Sequence, residues 1–156
     1  MTLPKKPFWE DQYAQKDGLK TFHGGEPTET VRFVVENYLN SGNAVEFGCG
    51  AGRDSIYLAS KGFQVTSVDV SETGIAKLNE IAALRKLKIN SCVRDMRDFE
   101  FNGKHDLFVA IGCLHLIPTK DQPELLSRIR TNTRSGGFNV VKGAFPIWGH
   151  FFQNKY

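Results

Sequence analysis

No apolar run in this 156-residue chain approaches the ~18 residues that a membrane span needs. No contact with a membrane is expected. The opening stretch, MTLPKKPFWEDQY, has no apolar h-region, so no secretory signal is expected and the chain reads as cytoplasmic. Cysteine is scarce. Cys49, Cys92 and Cys113 are odd in number and none stands in a C-x-x-C pair. They read as reduced thiols, neither a disulfide frame nor a zinc site, and no metal is expected. Charge of one sign is also scarce. The net charge is +3, with Lys and Arg scattered along the chain, so no nucleic-acid surface is expected. Internal repeats and low-complexity segments are absent as well.

What is there is an ordinary globular composition, 40% hydrophobic and 24% charged, on a length that suits one domain with one core. Residues 1–156 are taken as that single domain. The first ~25 residues mix polar, aromatic and glycine positions and read as a mobile arm. From there the pattern alternates. PTETVRFVVENYL reads as a helix capped by Thr28, with Val31, Val34, Val35, Tyr38 and Leu39 at helical spacing. NAVEFG reads as a buried strand, and RDSIYLASKG as a helix stopped by Gly62. FQVTSVDV is a second strand. SETGIAKLNEIAALRKLK is a helix with Ser71 as its cap and Ile75, Leu78, Ile81 and Ala82 on its inner face. INSCVRDM and HDLFVAIGCLHLI hold the third and fourth strands. KDQPELLSRIRTNTRSGG is a helix with Pro123 in its first turn and Gly136–Gly137 after its end, and GFNVVKGAF is a fifth strand. Alternation of this kind predicts an α/β, doubly wound (Rossmann-like) parallel sheet in the order 3-2-1-4-5. The ligand of such a sheet lies outside the C-terminal ends of its strands.

The stretch VEFGCGAG sits at that end. It follows a strand, opens a helix, and is answered by Asp69 at the tip of the next strand. An acid there accepts the hydroxyl protons of a ribose diol. The other reading of Asp69 is a cap for the following helix, but Ser71 serves that purpose better. The glycine spacing is G-x-G-x-G and not the G-x-G-x-x-G of dinucleotide sites. Glu46 before the first glycine would face a pyrophosphate with like charge. A ligand with an ammonium group and a cationic centre suits Glu46 instead. S-adenosylmethionine combines a sulfonium, an ammonium, a ribose diol and an adenine.

The same residues resemble the class I S-adenosylmethionine-dependent methyltransferases. VEFGCGAG matches their first motif, VTSVDVS the second, VRDMRDF the end of the third strand and LFVAIGCLHLI the fourth strand. Within the class the chain looks most like the tellurite-resistance and thiopurine methyltransferase groups, over roughly residues 8 to 145, including an arm, FWEDQYAQ followed by TFHGGEPTETV. The resemblance implies a role for each matching position. Glu46 would hold the methionine ammonium, and Phe47, Gly48 and Gly50 would line the methionine and ribose. Asp69 would bind the ribose diol, with Val70 against the adenine. Asp95 would accept from the adenine amino group, with Met96 beside it. Ile111 and Gly112 would contact the methionine. Trp9, Tyr13 and Phe22 would form a lid. Simpler readings stand beside these. Asp95 and Asp98 are each compatible with plain solvation, Trp9 and Phe22 with packing of the arm, and Arg53 and Asp54 with organising a helix start.

The expected activity is methyl transfer to a small soft nucleophile, a thiol or a chalcogen oxyanion such as tellurite. Such an acceptor needs alignment more than a base. After the fourth strand stands GCLHLI, which contains no carboxylate. His115 is the candidate catalytic residue there, or else a residue of the strand connection. Cys113 reads as a small buried apolar group. Two other functions fit the same cofactor: cleavage of S-adenosylmethionine, or a non-catalytic module acting through a partner. The fold family usually adds a sixth and a seventh strand, and the chain after strand 5 looks too short for both. Residues 146–156 therefore read as an aromatic tail beside a bare sheet edge. Phe145, Ile147, Trp148, Phe151, Phe152 and Tyr156 cluster there, which leaves two outcomes: a tail folded back over the strand 4 and 5 ends, or, the favoured one, a homodimer through the strand 5 edge and the tail.

Overall fold

The computed structural model describes residues 9–14, 25–143 and 149–154. Its helices are α1 (Glu10–Tyr13), α2 (Glu29–Asn37), α3 (Arg53–Ser60), α4 (Glu72–Leu84) and α5 (Gln122–Asn132). Its strands are β1 (Asn43–Phe47), β2 (Gln64–Asp69), β3 (Ile89–Val93), β4 (His105–Ile111), β5 (Thr133–Lys142) and β6 (Gly149–Gln153). They form one sheet in the order β3-β2-β1-β4-β5-β6. The first five are parallel, as the sequence predicts.

Period-two alternation sends each central strand to both faces of the sheet. Val45, Phe47, Phe108 and Ala110 pack on one face with Leu125 and Ile129 of α5. Ala44, Val65, Leu107, Val109, Phe138 and Val140 pack on the other with Val31, Val34 and Val35 of α2 and Leu58 of α3. Most of these side chains are wholly buried. Each of the larger ones, Val, Leu, Ile or Phe, contributes roughly 1.5–3 kcal/mol by leaving water. Burial on both faces explains why β1 and β4 read as continuous apolar runs.

Local signals placed most helix ends. Ser71 Oγ accepts the Gly74 N–H at 2.9 Å, an interaction worth about 1 kcal/mol. Gly62, at φ 89°, follows the end of α3, where the Phe63 N–H reaches back to the Leu58 carbonyl at 3.1 Å. Thr28 precedes α2, but its side chain does not cap that helix. Its hydroxyl and its N–H both donate to Asp54, which is 1% exposed. A buried carboxylate outcompetes the helix for this threonine. Asp54 thus ties the start of α2 to α3. Ile81 is half-buried, while Ile75, Leu78 and Ala82 reach the interior.

Two expectations need correction. Gly136 and Gly137 do not follow the fifth helix as a stop. They lie inside β5, where the pairing with β4 jumps from His105↔Thr133 to Leu107↔Phe138. Gly136, at φ 82°, supplies the backbone conformation that such an irregularity needs. The second correction concerns the tail. Gly149–Gln153 is a sixth strand, antiparallel to β5 from Phe138↔Gln153 to Lys142↔Gly149. The β5 edge is therefore covered by the chain itself, which removes the expected edge-to-edge dimer on β5. The chain reversal satisfies donors and acceptors that an open edge would leave to water. Phe145, Ile147, Trp148 and Tyr156 lie outside the described residues. Among the described residues no helix is long and apolar enough to cross a membrane.

Candidate functional site

Three glycines after β1 carry the chain across the strand ends. Gly48, Gly50 and Gly52 have φ of 65°, 53° and 82°. A Cβ on Gly48 would strike Cys113, one on Gly50 the Tyr13 side chain, and one on Gly52 the Leu78 side chain. Only glycine satisfies both the conformation and the space. The N–H groups of Gly48 and Cys49 donate to the Val68 carbonyl at 2.8 and 3.2 Å, binding the turn to β2. Asp69 completes the link. Its Oδ2 accepts the Gly50 N–H at 2.7 Å and its Oδ1 accepts the Ser71 N–H at 2.8 Å. Burial raises its pKa against the pull of these donors. A carboxylate has about four acceptor positions, so capacity remains for further donors.

Glu46 lies on the other side of the turn and is 4% exposed. Its Oε2 accepts from Ser55 Oγ on α3, and Ser55 Oγ lies 2.6 Å from Ser67 Oγ on β2. Ser67 is the register partner of Glu46 across β1 and β2. Burial, and then the charge of Asp54, raise the Glu46 pKa well above the usual carboxylate range. Phe47 is wholly buried among Phe99, Phe101 and Phe108. Its side chain therefore belongs to the core, and only its backbone remains for a ligand at the turn.

Val70 and Met96 are half-buried at the ends of β2 and β3. Asp95 opens a short 3-10 turn, Met96–Asp98, and forms a 2.6 Å ion pair with Arg97. The hydrogen bonds from Arg97 outweigh burial and lower the Asp95 pKa. Asp98 is exposed.

At the exit of β4, Gly112 has φ 67° and its N–H donates to the Lys142 carbonyl at 2.7 Å. Ile111 beside it is half-buried. Cys113 Sγ donates to the Phe47 carbonyl at 3.2 Å, which draws the β4 exit against the glycine turn. Burial holds the Cys113 and Cys49 thiols protonated far above neutrality. His115 stands in the next turn, Leu114–Leu116, half-buried, with no partner for Nδ1 among the described residues.

The short helix α1 lies over this turn. The Trp9 carbonyl accepts the N–H groups of Gln12 and Tyr13, each at 3.0 Å. Tyr13 then fills the space above Gly50. Burial, and then the charge of Asp69, push its phenol up. Glu10 docks at the start of α4. Burial opposes its ionisation, but hydrogen bonds from Thr73 and Ser71 win and lower its pKa. Phe22 lies outside the described residues. Glu46, Asp69, Tyr13 and Cys113 thus converge on one glycine turn. Among the described residues no cluster of His, Cys, Asp or Glu has a metal-binding arrangement.

Three functional candidates escape a reading of the sequence: Glu10, the Ser55–Ser67 pair and Arg97. Arg97 left a signal, a base two places after an acid at a strand end. Ser67 left one too, in register with Glu46. Glu10 left none, because only docking of α1 reveals it.

A sheet of this order, closed by a glycine turn between Glu46 and Asp69, is the fold of the class I S-adenosylmethionine-dependent methyltransferases. Within that class, a family model described as tellurite resistance protein TehB matches residues 6–147, and the chain belongs to this family. A Haemophilus influenzae (strain 10810) protein named probable S-adenosyl-L-methionine-dependent methyltransferase TehB is 26% identical over 135 residues. The match takes in 86% of this chain but only 45% of that protein, so the chain spans less than half of its relative's length. The crystal structure of TehB from Haemophilus influenzae superposes with a TM-score of 0.70 at 26% identity, covering 85% of this chain and 44% of that one. A putative S-adenosyl-L-methionine-dependent methyltransferase from Methanococcus maripaludis has a TM-score of 0.71 at 21% identity, over 92% of this chain and 67% of its own, a likeness of fold.

Proposed function

We propose that the chain transfers a methyl group from S-adenosylmethionine to a small soft nucleophile, a thiol or a chalcogen oxyanion such as tellurite. The observation that carries this reading is the pair of acids, Glu46 and Asp69, set on either side of one glycine turn, with Asp69 bonded to the Gly50 N–H. The residues fit the cofactor. The glycine turn brings backbone within reach of a ligand, and Asp69 keeps acceptor capacity for a diol. Glu46 is buried, which strengthens its pull on an ammonium group.

When bound, S-adenosylmethionine supplies a methyl group on a sulfonium, already electrophilic, with S-adenosylhomocysteine as the leaving product. The protein's task is then to align and to exclude water. Glu46 orients the methionine end, with the Phe47 backbone, Gly48, Gly50, Ile111 and Gly112 lining it. Asp69 holds the ribose. Val70, Asp95 and Met96 receive the adenine. Trp9 and Tyr13 cover the site, and lids of this kind keep solvent out. Glu10 holds that cover on α4.

The acceptor side supports a soft nucleophile. The β4 exit offers Cys113, a buried thiol already donating to Phe47, and His115, in a stretch, GCLHLI, that carries no carboxylate of its own. A thiolate or an oxyanion is nucleophilic at neutral pH and does without a strong base. His115 is the residue to contact it. A methyl-transfer screen with tellurite, selenite, aliphatic thiols and aromatic thiols tests this reading. A methylated acceptor with stoichiometric S-adenosylhomocysteine supports it. Methylthioadenosine as the product, or binding without turnover on any acceptor, overturns it.

A further inference from the structure

The carboxylate of Asp95 is gripped by its near neighbour. Arg97 Nε lies 3.0 Å from Oδ1 and 3.1 Å from Oδ2, and Nη2 lies 2.6 Å from Oδ2. The Arg97 backbone N–H adds a donation to Oδ1 at 2.9 Å. The third nitrogen of the guanidinium, Nη1, reaches Asp121 Oδ2 at 3.1 Å, just before α5. The turn is held from the far side as well. Arg128 on α5 donates through Nη1 to the Arg97 carbonyl at 2.6 Å and through Nη2 to the Phe99 carbonyl. Its guanidinium lies over the Phe101 ring, 5.0 Å from the centroid.

This arrangement does more than neutralise a charge. A forked guanidinium fixes the plane of a carboxylate, which an ammonium cannot do. Three N–H groups of Arg97 engage both oxygens of Asp95, with Nε–H shared between them, and leave about one acceptor position, held in a fixed direction. Asp95 is 12% exposed and Arg97 26%, so the pair lies part-buried at the turn, and without the fork nothing else among the described residues fixes the plane of the carboxylate. Rotation matters for base recognition. A 6-aminopurine presents a donor at position 6, whereas a 6-oxopurine presents an acceptor there and a donor at N1. A carboxylate free to turn adapts to either base. A clamped one accepts only from the amino group.

We infer that Arg97 is a positioning residue that fixes the Asp95 carboxylate and thereby makes the site selective for adenine over a 6-oxopurine. The inference rests on the reading of Asp95 as the acceptor for the adenine amino group. Arg97 acts through Asp95 and Asp121 and need not touch the cofactor.

Calorimetric titration with S-adenosylhomocysteine and with S-inosylhomocysteine, its 6-oxo counterpart, tests this. For the unaltered chain the adenine form is expected to bind at least about tenfold more tightly, the effect of one charge-assisted hydrogen bond. Arg97→Met is expected to reduce that ratio to about threefold or less. Arg97→Lys, which keeps the charge and loses the fork, is expected to reduce it similarly. A wild-type ratio in Arg97→Met, with both ligands merely weakened, would overturn the inference and leave Arg97 a structural strut. Should Arg97→Met not fold, Asp121→Asn releases the second anchor of the guanidinium. It is expected to lower the ratio about threefold, and an unchanged ratio there also overturns the inference. Asp95→Ala separates the two claims. If it leaves the ratio unchanged, Asp95 is not the adenine acceptor and the underlying reading fails. If it abolishes the ratio while Arg97→Met does not, the positioning role alone fails.

Discussion

Asp69 Oδ2 accepts the Gly50 N–H at 2.7 Å, so the acid at the end of β2 holds the glycine turn that follows β1. The residue expected to bind a ribose is therefore also a strut of its own binding loop.

That double role sets the expected result of Asp69→Ala. Two N–H groups, from Gly50 and Ser71, lose their partner. Leaving part-buried donors unsatisfied costs about 1–3 kcal/mol each. Binding of S-adenosylhomocysteine is expected to weaken at least about tenfold, together with a drop in melting temperature. Unchanged affinity in a folded variant would show that Asp69 is only a structural acid. Calorimetry and thermal melting, run side by side, separate the two effects.

Much of this was legible because the signals are local. Ser71 as a cap, Gly62 as a stop and the apolar core of β4 each act within a few residues of chain. Glu46, Asp69 and the glycines were legible because their spacing along β1, α3 and β2 fixes where they meet. β6 was not. Its pairing depends on a reversal after Gly143 and on the vacancy beside β5, neither of which has a periodic signature. Thr28 was misread for a related reason. A capping residue looks the same in sequence whether its hydroxyl serves its own helix or a buried acid 26 positions away.

The glycine turn predicts a specific pattern of rescue. Gly50→Ala puts a methyl group against Tyr13 at a φ of 53°. Both effects are unfavourable, the conformational one by about 1 kcal/mol. Tyr13→Ala in the same chain removes the collision and keeps the strain. The double variant is expected to recover part, but not all, of the stability lost by Gly50→Ala. Full additivity in a double-mutant cycle would mean that Tyr13 does not rest on Gly50 in solution.

Glu46 predicts two pH dependences of opposite sign. Its folded pKa is raised by burial and by Asp54. The folded chain therefore holds a proton that the unfolded chain releases in the ordinary carboxylate range. This contribution to stability is fully present below that range and is lost as pH rises through the raised folded value. Cofactor binding runs the other way, because an ammonium group is held by the ionised form. Affinity for S-adenosylmethionine is expected to rise over the same pH window in which the free protein loses stability. Glu46→Gln is expected to flatten both profiles. Profiles that persist in Glu46→Gln would assign them to another group.

The three cysteines are expected to differ in reactivity. Cys49 and Cys113 are buried, whereas Cys92 is half-buried, beside Arg94, whose charge opposes the upward shift from burial. Thiolates react and thiols do not. Brief iodoacetamide treatment of the folded protein, read by peptide mass spectrometry, is expected to label Cys92 first. Prior labelling of Cys113 would mean that the β4 exit opens and that its thiol is available to substrate.

Covering the β5 edge predicts that β6 is structural. Ending the chain at Gly143 removes the antiparallel partner of Phe138 to Lys142. The shortened protein is expected to melt at a lower temperature and to self-associate through the uncovered edge, as light scattering would detect. Equal stability and a monomer in both forms would make β6 dispensable.

Calorimetric titration with S-adenosylhomocysteine and with NAD tests the account at its centre, the two acids about one glycine turn. Micromolar binding of S-adenosylhomocysteine, roughly −8 kcal/mol, is expected, abolished or severely weakened by Glu46→Ala with Asp69→Ala, with no measurable binding of NAD. NAD bound more tightly than S-adenosylhomocysteine would contradict it.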